Sequence, residues 1–192
     1  YRKLLQELEI FHAIGTGSFH NLMLAVAKDP AMLAFLDAGV NVKGAPNENF
    51  AREIMELFTM GVGNYDEQDI REAARAFTGW NYEDLQFTFN EHEHDGGRKV
   101  FLGRSGNFDG EDIIEIIMEH PATAEYIAGK IYRFFVRTEL SEDLQTELGS
   151  VLREADYEVA TLLETIFLSQ DFYSDASVGT HIKSPVELTI ST

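Results

Sequence analysis

The chain has 192 residues, and its 33 acidic against 15 basic side chains give a formal net charge of −18. This excess of negative charge argues against a surface that binds nucleic acid or anionic lipid. The sequence contains no cysteine, which excludes disulfides, thiol catalysis and thiolate metal sites. It also lacks the run of about 18 apolar residues that a transmembrane helix needs. A hydrophobic content of 44% is enough for a sizeable buried core.

Helix signals begin early in the chain. Ser18 is a suitable N-cap for a helix over 18–28. Asp29 followed by Pro30 predicts a second start, because proline is favoured at the first helical position. Gly, Asn, Asp and Pro are then concentrated over 37–46, which predicts a loop.

Two consecutive helices are predicted at 47–60 and 67–77. Asn47 caps the first helix and Gly61 ends it, while Asp66 caps the second. Because the link between them is short, we expect a helical hairpin. The apolar face of the first helix comprises Phe50, Ile54, Leu57 and Phe58.

The period of the pattern changes after this hairpin. Leu85, Phe87 and Phe89 alternate with polar residues, which predicts a strand. A partner strand is expected at 99–102, across the glycine pair Gly96-Gly97.

Helical spacing returns after residue 110. The predicted segments are 111–119, 121–136, 141–154 and 158–169. The fold class is therefore mainly α: a multi-helix single domain over 1–192, with a small β-hairpin near 85–102. Because the chain has no initiator Met and ends within an apolar pattern, we expect it to be a fragment of a longer protein.

Several blocks in the sequence resemble a bacterial family catalogued as domain of unknown function 1800 (DUF1800). The longest block begins Asn47-Glu48-Asn49-Phe50-Ala51-Arg52-Glu53 and continues to Gly63, and a second runs from Tyr65 to Thr78-Gly79-Trp80. The shorter blocks are His94-Asp95-Gly96-Gly97-Arg98-Lys99 with Leu102-Gly103, His120-Pro121-Ala122-Thr123-Ala124, and Lys183-Ser184-Pro185-Val186-Glu187-Leu188. They follow the family order over nearly the whole chain.

The resemblance implies an origin and a location. Members of the family are bacterial, are longer than this chain and often carry an export signal, so it implies a periplasmic or extracellular protein. Their genes frequently neighbour those of a sulfatase-like family, which makes an exported sulfatase-like protein the candidate partner. The family has no established activity, so the resemblance indicates no reaction, substrate or cofactor.

The polar face of the predicted helix 47–60 is the strongest catalytic candidate. Glu48, Arg52 and Glu56 lie one turn apart in a continuous row, and Asn49 and Glu53 lie beside them. Three interpretations are open: a solvated helix face, a buried polar network, or an active site. In the active site, a glutamate would serve as acid or base and an arginine would hold an anion.

The second helix and the predicted hairpin contribute further polar residues. Arg75 is expected to bond a carboxylate of the preceding helix and so staple the helical hairpin. Trp80 is expected in the core or in a cleft wall, and His94-Asp95 with Lys99 is expected to anchor the β-hairpin. The candidate binding residues are Asn47, Asn49, Arg75, Trp80, His94, Asp95 and Lys99.

No metal site is predicted. His92 and His94 would point to one side of an extended chain, but no third ligand is evident. Capping and turn formation account for the oxygen-bearing residues around the loop at 37–46, which are Asp37, Asn41, Asn47 and Glu48.

Two functions remain open. The first is a binding or structural module that assembles with an exported partner. The alternative is a hydrolase acting on polysaccharide, sulfate-ester or phosphate-ester substrates through the carboxylate and arginine cluster of helix 47–60. We favour the first, because the sequence shows neither a nucleophile–base pair nor a set of metal ligands.

Overall fold

A computed structural model describes residues 1–180 and 184–190, without the side chains of residues 187 and 188. It confirms the mainly α fold class. The helices are α1 (Arg2–Ile14), α2 (Phe19–Ala27), α3 (Pro30–Phe35), α4 (Asn49–Glu53), α5 (Glu67–Ala76), α6 (Gly110–Glu119), α7 (Pro121–Phe135), α8 (Glu142–Glu154), α9 (Val159–Phe167) and α10 (Pro185–Ile190). The strands are β1 (Trp80–Glu83), β2 (Gln86–Phe89), β3 (Lys99–Phe101) and β4 (Arg104–Gly106).

Side-chain caps start α2, α3 and α5 at the positions that the sequence predicts. The Asp29 carboxylate accepts hydrogen bonds from the backbone N–H groups of Ala31, at 2.7 Å, and Met32, at 3.4 Å. Asp66 caps α5 and forms a reciprocal capping box with Asp69. The four predicted helices after residue 110 correspond to α6 through α9, with ends within two residues of the prediction.

Helix α1 was not predicted from the sequence. It has no side-chain cap, and none of its residues is buried. Its apolar side chains Leu4, Leu8 and Phe11 are between 45% and 64% exposed. The helix therefore lies at the surface, where its pattern gives only a weak signal.

The predicted helix 47–60 is helical from residue 49 to residue 59, but its hydrogen-bond pattern changes halfway. After α4 the backbone forms a π turn over Ile54–Thr59. The Thr59 hydroxyl donates to the Ile54 carbonyl at 2.7 Å. The wider turn rotates the later residues, so that Met55 and Thr59 are fully buried whereas Leu57 is 46% exposed. Leu57, predicted on the apolar face, is therefore half-exposed, and the polar residue Thr59 is buried.

The two strands predicted to pair with each other instead pair with nearer neighbours. Strand β2 is antiparallel to β1, with Trp80 opposite Phe89, and β3 is antiparallel to β4. Each pair is joined by a two-residue turn, and Asp84 and Leu102 have φ values of 54° and 46° in these turns. The nearer pairing prevails because a short loop costs less entropy to close.

An aromatic cluster holds the helical hairpin against the first sheet. Phe77 packs edge-on against Phe50, with ring centroids 5.0 Å apart, and against Trp80, at 5.1 Å. Phe87 of β2 continues the cluster at 5.1 Å from Trp80. A side chain at Gly110 would overlap Trp80 and Phe77, with its Cβ only 2.4 Å from the indole. Close packing therefore fixes α4, α5, β1 and the start of α6 relative to one another.

The C-terminal half packs as a helical layer on this core. Helices α7 and α8 approach closely at Gly149, where a Cβ would lie 2.8 Å from the Glu125 backbone.

Among the described helices, none has both the length and the apolar character needed to cross a bilayer. The i, i+4 spacing of Lys183 and Glu187 predicts an ion pair, which lies outside the described side chains.

Candidate functional site

A continuous polar network centred on Arg75 joins α5 to the loop before β3. The guanidinium Nε donates to Asp95 Oδ2 at 2.7 Å, and Nη1 donates to Glu72 Oε2 at 2.9 Å. The hydrogen bond from Arg75 lowers the pKa of Asp95 to about 2. The sequence predicted that Arg75 bonds a carboxylate of the preceding helix. In the structure it bonds Asp95 and so anchors the loop before β3.

The acidic residues of α5 extend this network to the edge of β3. Glu72 Oε2 accepts the Val100 backbone N–H at 2.9 Å, and Glu72 Oε1 accepts from the Gln68 amide at 3.0 Å. One turn earlier, Asp69 Oδ1 accepts the Leu102 N–H at 2.8 Å. Neither acidic residue is among the candidate site residues predicted from the sequence. Their only sequence signal is the i, i+3 spacing on one helical face.

Thr78 connects the end of α5 to the same loop. Its hydroxyl donates to the Arg75 carbonyl at 2.6 Å and accepts the Asp95 backbone N–H at 2.7 Å. His94 Nδ1 lies 2.9 Å from the Thr78 carbonyl, which fixes the ring with Nδ1 as the donor. His94 and Asp95 are thus both held by the end of α5, whereas His92 is exposed on a neighbouring short turn.

Lys99 is a buried cation within this network. The residue is 1% exposed, and its Nζ donates to the Asp95 carbonyl at 2.5 Å and to the Gly97 carbonyl at 3.1 Å. Burial lowers its pKa, because removal from water penalises the charged ammonium. Lys99 therefore stabilises the loop before β3 through buried hydrogen bonds to its backbone.

Arg52 connects α4 to α5. It donates to both carboxylate oxygens of Glu67, at 3.0 and 2.8 Å, and to Glu48 at 3.2 Å. Hydrogen bonding to Glu67 raises the pKa of Arg52 and lowers that of Glu67. The staple of the helical hairpin is therefore Arg52 with Glu67.

The remaining acidic candidates of this face lie farther along it. Glu56 accepts a hydrogen bond from the Tyr65 hydroxyl at 3.3 Å. Burial, aided by the charge of Glu56, raises the pKa of Tyr65 to about 12. Glu53 is half-buried, and its side chain has no hydrogen bond or ion pair within the described part of the chain.

The two asparagines at the start of the helix bond to the backbone. Asn47 Oδ1 accepts the Asn49 N–H at 3.0 Å, and the Asn49 amide donates to the Leu36 carbonyl at 3.1 Å. They hold the loop entering α4.

Trp80 is only 3% exposed and belongs to the aromatic cluster.

The structure thus places several of the candidate residues in two polar clusters. The first cluster lies at the end of α5 and contains Arg75, His94, Asp95 and Lys99. The second lies between α4 and α5, where Arg52 bonds Glu48 and Glu67. Within the residues that the structure describes, no group of three or more His, Asp or Glu side chains is arranged to hold a metal ion.

An apolar cleft lies beside the hairpin. Its volume is about 450 Å³, and it lies where α1, α2, the π turn, α7 and α9 meet. The lining residues are Phe11, Gly15, Thr16, Phe19, Leu22, Leu57, Phe58, Ile127, Lys130, Ile131, Phe135, Val159 and Leu163. This cleft could not be predicted from the sequence, because its walls come from five separate segments.

Lys130 is the one charged residue among the described residues that line the cleft. Its Nζ donates to the Leu57 carbonyl at 3.1 Å, and the Tyr126 hydroxyl donates to the same oxygen at 3.4 Å. The π turn is followed by Gly61, which has a φ of +75° and lies against the Tyr126 ring. A Cβ atom at this position would be only 2.6 Å from the ring. Only glycine fits this position without strain.

These features define a mainly α module in which two polar clusters brace a helical hairpin beside an apolar cleft. The family model described as "Protein of unknown function (DUF1800)" matches residues 1–192, and the chain belongs to this family. No curated protein and no solved structure matches the chain.

Proposed function

We propose that the chain is a binding module and that the apolar cleft is its binding surface. The cleft itself carries this proposal. Its volume of about 450 Å³ lies in the range of roughly 300–1,000 Å³ that is usual for ligand sites, and its lining is apolar apart from a few polar groups. On this view the polar network around Arg75 is the framework that holds the hairpin beside the cleft.

The hydrolase alternative has weaker support. The guanidinium of Arg52, expected to hold a substrate anion, already bonds both oxygens of Glu67. Glu48 lies against the same guanidinium, and Glu56 accepts from Tyr65. None of these residues lines the apolar cleft. The contacts favour a bracing role for this face.

Export and an exported sulfatase-like partner are part of the proposal on the strength of the family resemblance alone. Fractionation of the native host with an antibody against this chain should find it outside the cytoplasm. Detection only in the cytoplasm would contradict export. Co-elution of purified full-length protein with the neighbouring sulfatase-like product tests the partner separately, and two independent elution peaks would argue against it.

Uptake of a neutral, environment-sensitive apolar dye tests the binding function. We expect saturable fluorescence enhancement with the wild-type chain, which Leu57→Gln reduces because it places an amide in the cleft. Leu168→Gln is the matched control, since Leu168 is 75% exposed and does not line the cleft. Equal dye binding by both variants and the wild type would show that the cleft is not the binding surface.

A further inference from the structure

We propose that the cleft binds an amphiphile with one alkyl chain and an anionic head group, and that Lys130 receives the head group. This inference rests on the proposed binding function and specifies the class of ligand. It combines the apolar walls of the cleft with the position of a single ammonium group among them.

The walls suit a flexible alkyl chain. Phe58, Ile127 and Ile131 are partly or fully buried and form part of the lining, together with the more exposed Leu57 and Phe135. Apolar chains are driven into such a site by the removal of hydrocarbon surface from water. Among the described residues of the lining there is no carboxylate and one hydroxyl, that of Thr16, so the cleft offers little to a ligand that is polar along its length.

Lys130 supplies the charge complementarity. The ammonium group of Lys130 has three N–H donors, and one of them bonds the Leu57 carbonyl. Lys130 forms no ion pair in the described part of the chain. By contrast, Lys28 Nζ lies 2.5 Å from a carboxylate oxygen of Glu111. An ammonium that has no carboxylate partner among the described residues is available to an anionic ligand, even in a chain whose net charge is −18.

The π turn holds the ammonium at the cleft. The Gly61 N–H bonds the Met55 carbonyl at 3.1 Å, and so does not serve the Leu57 carbonyl four residues before it. That carbonyl is consequently left to accept from Lys130 and Tyr126. The same turn brings the Leu57 side chain into the cleft wall. One backbone irregularity thus positions both the apolar wall and the charged group, as π turns at functional sites often do.

A second copy of this chain is a poor occupant. Each copy carries a formal charge of −18, so two copies repel each other in solution. A single-chain amphiphile carries only one negative charge, so this repulsion is much smaller for it, and that charge is matched by Lys130.

Calorimetric titration with decanoate and with decanol, below the concentrations at which they aggregate, tests the proposal. We expect the wild type to bind decanoate more tightly than decanol. Lys130→Gln should weaken decanoate binding by about threefold to tenfold, in line with a partly exposed ion pair, and leave decanol binding unchanged. Lys43→Gln, which removes an exposed lysine outside the cleft, is the control and should change neither affinity.

The outcomes separate the two proposals. If wild type and Lys130→Gln bind both ligands equally, the anionic head group is wrong and the binding module stands. If neither ligand binds and the apolar dye is also excluded, both proposals fail. Lys130→Arg keeps the charge and should keep the preference for decanoate. Loss of that preference in a folded Lys130→Arg chain, judged by circular dichroism, would also overturn the role of Lys130.

Discussion

The Thr59 hydroxyl donates to the Ile54 carbonyl across the π turn, at 2.7 Å, and both residues are fully buried. The bond spans five residues, which is the π spacing. The turn directs the Leu57 side chain into the cleft and leaves its carbonyl to Lys130. A buried hydroxyl thus links the packing of the hairpin to the geometry of the proposed binding site.

Removal of that hydroxyl should destabilise the fold. Thr59→Val keeps the side-chain shape but deletes a buried hydrogen bond, so we expect the free energy of unfolding to fall by about 1–2 kcal/mol. Thr165→Val is the control, because the Thr165 hydroxyl bonds the Thr161 carbonyl at an exposed position of α9 and its loss should cost less than about 0.5 kcal/mol. Urea denaturation measures both. Equal effects would show that Thr59 does not stabilise the turn.

Replacement of Arg75 by lysine tests the polar network. Arg75→Lys keeps the charge but cannot reach Asp95 and Glu72 with the same fork of donors. We expect a loss of about 1–3 kcal/mol in the free energy of unfolding. Arg71→Lys on the same helix is the control, since exposed Arg71 bonds only Gln68 in the described structure. A comparable loss in both variants would contradict a special role for Arg75.

The lowered pKa of Asp95 predicts an acid dependence of stability. The pKa of about 2 lies below the ordinary value of 3.8, so the ionised form stabilises the folded chain above about pH 4. That contribution, about 1–2 kcal/mol, is lost as the pH falls from about 4 to 2. The difference in unfolding free energy between the wild type and Asp95→Asn should shrink over this window. A difference independent of pH would contradict the Arg75–Asp95 pair.

The burial of Lys99 predicts protection from chemical modification. In the native chain an amine-reactive reagent should modify exposed Lys43 rapidly and Lys99 slowly, because Lys99 is 1% exposed and bonded to two carbonyls. Unfolding in urea should equalise the two rates. Peptide mass spectrometry gives both rates, and rapid native modification of Lys99 would disprove its position in the network.

Local features of the fold could be predicted well from the sequence. Ser18, Asp29 and Asp66 each cap a helix through a hydrogen bond to a residue two or three positions away, so the signal and the structure lie in the same short segment. The mainly α class follows from the helical spacing. Asn47 was predicted as the cap of the next helix, but the N-cap of α4 is Glu48, and Asn47 lies one residue earlier and bonds the Asn49 N–H.

Features that depend on distant residues could not be predicted. Nothing in the spacing of 47–60 reveals that Thr59 bonds Ile54, and without that bond Leu57 belongs to the apolar face. Asp95, the partner of Arg75, lies 20 positions away in the loop before β3. The spacing of residues in the sequence does not show that Arg75 bonds Asp95 and not a carboxylate nearer in the chain. The cleft has the same origin, since its walls meet only after α1, α7 and α9 pack.

A crystal structure of the chain with decanoate tests the central claim most directly. The account predicts the alkyl chain in the cleft, against Leu57 and Ile131, with a carboxylate oxygen within hydrogen-bond distance of Lys130 Nζ. Decanoate bound elsewhere on a chain with an empty cleft would contradict the account.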